Sequence, residues 1–501
     1  MLNFDYILNL LKFNPQEPVV FISGFFLWFF VVFIFLYSVF SRIHIARLLV
    51  LVLFSYYFYY KAGGDFVLLL FLSSFAEYYL SLTIYKSQKK WLRGILFALI
   101  LLINIGVLVY FKYSNFFTGI YNNIFNGSAG LLEVSLPIGI SFFTFQKLGY
   151  SIDIFRKNGT PANSILEFFA FVSFFPSIQS GPILRANNFI PQLNKKEIFV
   201  SNEDTGKAVF LIISGLIKKV VISDYIGLNF VDRVFDNPML YSGFENLAAV
   251  YGYTLQIYCD FSGYSDIAIG IALLIGFKVP PNFNAPYKSL SIKEFWQRWH
   301  ISLSFWLRDY IFLPIAYKIS RRLKNKKFLS LRAETWSYHT GMLVTMFVCG
   351  LWHGAAWTFV VWGALHGIGV SLERIIKSML KFKSNILSKA IGAFITFNFV
   401  AFAWVLFRAG SFQKVNEIIL QVINAFDFRI IPEILTGYKV VFIIIAFGYF
   451  LHFLPDKIDR FTENLVVKSP VVLKALYVVL AIWFIIQIKS ASVQPFIYFN
   501  F

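Results

Sequence analysis

A histidine sits at position 353 inside Gly350-Leu351-Trp352-His353-Gly354-Ala355-Ala356-Trp357, a stretch otherwise fit for lipid that runs on to His366-Gly367. An ionisable group at membrane depth is costly and usually faces a cavity or the bundle interior. On a continuous helix, Gly350, His353, Gly354 and Trp357 share one face. The small residues on that face would let a neighbouring helix or a substrate come close to the imidazole. His353 is therefore the leading candidate for a catalytic base. The alternative is a packed, hydrogen-bonded histidine near a helix end.

A second histidine, His300, lies in a different setting. Pro280, Pro281 and Pro286 exclude a regular helix over 280–287. Ser291-Ile292-Lys293-Glu294 then has the form of a capping box that starts one. Along that helix Phe295, Trp299, Leu303, Trp306 and Tyr310 form an apolar stripe, with Gln297, His300 and Ser304 on a separate polar face. His300 either orients a substrate, or donates to a developing oxyanion, or is a structural histidine beside Arg298. Two carboxylates, Asp260 and Asp266, interrupt another apolar run, Leu247–Phe277. They read as the wall of a polar funnel, or as buried carboxylates satisfied by a neighbouring Arg or backbone N–H groups.

These residues need a membrane scaffold to position them. Of 501 residues, 58% are hydrophobic and 20% aromatic, with 62 Phe, more than a water-soluble surface could hide. Several runs approach the roughly 20 apolar residues that cross a bilayer core, and they lack the alternation of barrel strands. The fold class is an all-α polytopic membrane protein. The formal charge of +19 does not indicate nucleic acid, because the Lys and Arg sit in short loops between apolar runs, where they set orientation. The loops after the first and third spans are basic, which places the N-terminus outside. Cys259 and Cys349 lie in apolar segments, so no disulfide framework and no metal site is expected.

In chain order, 1–130 holds N-terminal transmembrane helices. Residues 131–375 form a core with irregular, partly re-entrant spans, such as the short Phe168–Ile178 run ending at Pro176 and Gly181-Pro182. Residues 376–501 hold C-terminal helices and an aromatic tail, and the whole is one integrated membrane domain. The tail, Pro495-Phe496-Ile497-Tyr498-Phe499-Asn500-Phe501, is too aromatic to dangle in water and is expected to tuck into the protein or the interface.

Gln256–Asp266, Pro281–Tyr287, Phe295–Ser304, Trp306–Tyr310 and Leu351–Trp357 together resemble the membrane-bound O-acyltransferase (MBOAT) family. The resemblance is closest to its bacterial branch that acetylates cell-envelope polysaccharides, which includes peptidoglycan O-acetyltransferase membrane subunits and alginate O-acetylation proteins. It implies about 11–13 transmembrane or re-entrant helices around a central tunnel. It implies that His353 is the catalytic histidine and His300 the second polar residue of the site. Trp299, Trp352, Asp260, Ser304 and Arg298 become candidate substrate or tunnel residues. The tail matches a Phe-x-Tyr-x-x-Phe pattern at Phe496, Tyr498 and Phe501, in which the tyrosine passes the acyl group to a periplasmic SGNH-type transferase. The implied donor is acetyl-CoA, with no bound cofactor. The implied setting is the bacterial inner membrane, and the acceptor peptidoglycan. Alginate or another exopolysaccharide, direct acylation of a lipid or protein, and transport are the alternatives.

Overall fold

The computed structural model describes residues 9–323, 327–328, 331–379, 385–488 and 496–497. Apart from a two-residue antiparallel ladder, Lys327–Phe328 with Leu331–Arg332, the described regular structure is helical. Among the described residues, six helices are long and apolar enough to cross a membrane, or up to eight if each of two bent pairs counts as one span. The six are His44–Gly63, Phe66–Lys86, Lys90–Phe125, Gly243–Leu274, Trp357–Met379 and Ile386–Arg408. Around them stand shorter apolar helices, among them Gly24–Val39, Ile140–Phe155 and Ile165–Ser173. Ile165–Ser173 is buried along most of its length, as expected for a half-length helix shielded by protein.

Gly243–Leu274 is the central element. It begins at a complete capping box between Ser242 and Glu245, and 72% of its most apolar window is buried inside the protein, against 17% for Lys90–Phe125. The latter therefore turns most of its surface outward. Buried side chains gather in two clusters. One joins the N-terminal helices to residues 140–193 and 264–277 and includes Phe496. The other joins parts of 142–148, 222–261 and 287–310 to Trp352, Trp362, Trp404 and Val441. Neither cluster is confined to one sequence segment. Polar contacts also tie helices within the bundle. Glu77 accepts from Asn104 and Ser151, and the fully buried Arg47 donates to the carbonyls of Ser41, Leu193, Lys195 and Lys196.

Two local expectations give way. The helix from Ser291 does not run unbroken to Tyr310. It covers Ile292–Arg298, stops, and restarts as Ile301–Leu307. Ser291 does cap the first piece through Glu294 N–H, while the Glu294 carboxylate takes the N–H of Leu290. The helix carrying His353 ends at that residue, so His353 and Trp357 do not share a helical face. Gly354 is extended (φ −164°, ψ 156°), and Trp357 opens the next helix.

Candidate active site

The turn at His353 is set by close packing. A Cβ at Gly354 would lie 2.2 Å from the Phe359 ring, and one at Gly350 would lie 2.3 Å from the Phe359 carbonyl oxygen. Gly363 meets the other side of this crossing, where a Cβ would fall 2.3 Å from Met346 O and 3.0 Å from Gly350 Cα. The two helices thus cross backbone against backbone, and the chain reverses within Gly354–Ala356.

A helix that stops inside the protein leaves its last carbonyls without intrahelical donors. Here two consecutive residues from a distant span supply them. Lys112 Nζ donates to Trp352 O at 2.8 Å and to His353 O at 2.9 Å, while Tyr113 OH donates to Leu351 O at 2.5 Å. Both donors belong to a π-helical turn, Val109–Tyr113, inside the long Lys90–Phe125 rod. Such turns break the regular helical repeat and are frequent at functional sites.

His353 is 2% exposed. Trp352, Trp362 and Phe407 present their rings to it roughly edge-on, with centroids 5.0, 5.1 and 5.1 Å away. Among the described residues a cleft of about 40 Å³ opens beside it, lined by Lys112, residues 136–142, Gln179, Trp352 and His353. That volume holds on the order of a few water molecules.

His300 stands beyond Trp352, whose ring lies 5.8 Å from it. It is the residue at which the expected helix breaks, with left-handed backbone (φ 41°, ψ 56°), and it is completely buried. Asn282, from the proline loop, holds this break. Its backbone carbonyl accepts from Ile301 N at 2.9 Å. Its Oδ1 accepts from Ser302 Oγ at 2.7 Å and Ser302 N at 3.3 Å, and lies 3.2 Å from His300 Nδ1. A backbone N–H can only donate, so this Asn atom is the acceptor oxygen, and the proton of a neutral His300 ring belongs on Nδ1. Nε2 then has the lone pair, and a neutral His300 accepts hydrogen bonds there. This geometry favours orienting a hydroxyl over donating to an oxyanion.

The other candidate residues separate. Trp352 lines the cleft with His353. Trp299 is fully buried among Phe283, Phe295 and Trp404, with centroids 5.0, 5.5 and 4.9 Å away, as part of the aromatic core. Ser304 Oγ donates to Trp299 O at 3.2 Å. Arg298 pairs with Glu294 at 2.9 Å on a surface hollow that does not include His353. Asp260 and Asp266 are held by lysines rather than by an Arg. Asp266 pairs with Lys218 at 2.6 Å and Asp260 with Lys219 at 2.5 Å, and Lys219 also reaches Asp224 at 2.8 Å. Asp260 takes a backbone N–H as well, that of Ile497. Tyr498 and Phe501 lie outside the described residues, whereas Phe496 is within them and 1% exposed. Among the described residues no group of His, Cys, Asp and Glu could hold a metal ion.

Sequence reasoning did not single out Lys112, Asn282 or Gln179. A lysine within an apolar run was a usable signal for Lys112. Asn282 sits in the quoted proline loop without any local hint of its role. His366 is a third buried histidine. Trp296 Nε1 donates to its Nδ1 at 3.3 Å, and it packs against Trp362 at 4.8 Å.

Residues 161–412 match the membrane-bound O-acyltransferase family, MBOAT. The chain belongs to that family. It is a polytopic membrane acyltransferase. The MBOAT chain is 33% identical to a peptidoglycan O-acetyltransferase of Helicobacter pylori over 394 residues, 74% of this chain and 72% of the relative. It is 36% identical to a probable alginate O-acetylase AlgI of Pseudomonas aeruginosa over 408 residues, 79% of this chain and 73% of that one. A probable alginate O-acetylase AlgI of Pseudomonas putida aligns at 33% identity over 516 residues, covering 96% of this chain and 100% of the relative.

Proposed function

We propose that this MBOAT protein moves an acetyl group from a cytoplasmic thioester towards an extracytoplasmic polysaccharide. The observation that carries the reading is the placement of His353, buried beside Trp352, Trp362 and Phe407 and lining a cleft together with Lys112 and Gln179. Relatives whose names specify O-acetylation support the two-carbon group. The donor is acetyl-CoA, with a carrier-protein thioester as the second possibility. The setting is the bacterial inner membrane with the N-terminus outside. Peptidoglycan, named for the Helicobacter relative, is the first reading of the acceptor, and alginate, named for the Pseudomonas relatives, is the second.

The chemistry assigned to the site is acyl transfer to a hydroxyl. His353 takes the proton from the attacking hydroxyl as its oxygen bonds to the thioester carbonyl carbon. The C–S bond breaks, and the proton passes to the leaving thiolate, which departs as a thiol. Tyr498 supplies the hydroxyl and carries the acetyl group to an SGNH-type transferase outside. A phenol with a pKa near 10 is weakly nucleophilic at neutral pH and needs such a base. His300, accepting through Nε2, orients the incoming hydroxyl. The Trp352 ring stands against both imidazoles, 5.0 Å from His353 and 5.8 Å from His300.

Mass spectrometry of envelope glycans with and without the gene tests the acceptor. Intact-mass analysis of the purified protein after exposure to acetyl-CoA tests the carrier. One acetyl adduct, absent in Tyr498→Phe, is expected. A Tyr498→Phe protein that still acetylates the envelope polymer removes the relay step.

A further inference from the structure

The C-terminal segment is described at only two residues, and both are seated on the same buried ion pair. Ile497 donates its backbone N–H to Asp260 Oδ2 at 3.0 Å. The other oxygen of that carboxylate pairs with Lys219, whose ammonium stands 4.7 Å from the centroid of the Phe496 ring. The same ring also meets Tyr264, edge-on at 4.2 Å and one helical turn beyond Asp260. Phe21 in turn stacks on Tyr264 at 5.1 Å. Asp260 and Lys219 are each 1% exposed, as is Phe496.

The socket lies at the seam of the two apolar clusters. Phe496 belongs to one, and Ile497 packs against the other, which contains Trp352 and Phe261. Phe261 follows Asp260 in the central helix and sets its ring edge against His300 at 4.7 Å. The carboxylate that holds the Ile497 amide is therefore one residue from the wall of the His300 site. In sequence, Tyr498 follows Ile497 directly, so a contact at Ile497 acts one residue before the proposed carrier.

We propose that Asp260 and Lys219 form a clasp for the C-terminal segment and act as positioning residues for acyl transfer. The carboxylate binds the backbone of residue 497, and the ammonium and Tyr264 bind the ring of Phe496. This role rests on the reading in which Tyr498 carries the acyl group. It also explains why the protein keeps an ion pair in its interior. Burying two charges is seldom stabilising by itself, but a charged acceptor holds a backbone N–H more strongly than a neutral one.

The test uses the full-length protein in nanodiscs. Amide hydrogen exchange at Ile497 is measured by fragmentation mass spectrometry, alongside acetyl transfer and melting temperature. Asp260→Asn keeps the shape and removes the charge. Phe496→Ala leaves the ion pair intact and empties the ring socket, so it decides the matter if Asp260→Asn does not fold. Both are expected to speed exchange at Ile497 about tenfold or more and to lower transfer by a similar factor. Unchanged exchange in the folded variants overturns the clasp. Faster exchange with wild-type transfer overturns its positioning role. A His353→Ala protein that still transfers acetyl would remove the acyl-transfer reading itself, and exchange at Ile497 would be unaffected by that result.

Discussion

Lys112→Met removes the amine that holds the end of the histidine helix while leaving a side chain of similar length. Two carbonyls, Trp352 O and His353 O, lose donors now at 2.8 and 2.9 Å. Leaving a buried acceptor unsatisfied costs about 1–3 kcal/mol. Tyr113 still holds Leu351 O, so the last turn loosens but does not unravel. About 3 kcal/mol for the pair corresponds to roughly a hundredfold in rate if it is expressed as loss of the aligned histidine. A displacement of about 1 Å at a reacting group has an effect of the same size. The assay is the initial rate of acetyl transfer in nanodiscs, with melting temperature measured in parallel. A hundredfold lower kcat with a modest fall in Tm is expected, and Lys112→Arg, which can still donate, should recover part of the rate. A Lys112→Met protein with wild-type kcat would refute the idea that these carbonyl contacts align His353.

Three further variants separate the parts of the site. Asn282→Leu removes the acceptor shared by His300 and Ser302 and is expected to lower kcat by one to two powers of ten, while Asn282→Asp, which still accepts, should be far milder. Gly363→Ala places a Cβ 2.3 Å from Met346 O; overpacking of this kind costs about 1–3 kcal/mol and should appear as a lower Tm in a thermal melt. His366→Leu loses the acceptor for Trp296 and should lower Tm while transfer per folded molecule stays near wild type, marking His366 as structural among the buried histidines.

The sequence carried the membrane class, the burial of His300 and His353 and the proline loop, because apolar runs, lone ionisable groups and missing N–H donors are local signals. It missed the break at His300. The stripe Phe295-Trp299-Leu303-Trp306-Tyr310 keeps helical spacing across the break, and all five side chains are indeed buried. What interrupts the helix is Asn282, 18 positions earlier in the chain, and no count of periodicity registers that. Lys112 reaches the histidine helix across 240 residues. Lys218 and Lys219 meet Asp266 and Asp260 across 48 and 41 positions. In each case the residue type was visible, but its partner is chosen by tertiary packing.

The most direct measurement is the single-turnover rate of acetyl transfer by His353→Ala, reconstituted in nanodiscs with acetyl-CoA on the donor side and matched to wild type in helicity and Tm. General-base help is worth roughly 10²–10⁴-fold, so the rate should fall by at least two powers of ten in a well-folded protein. Transfer at the wild-type rate would contradict the assignment of His353 as the base.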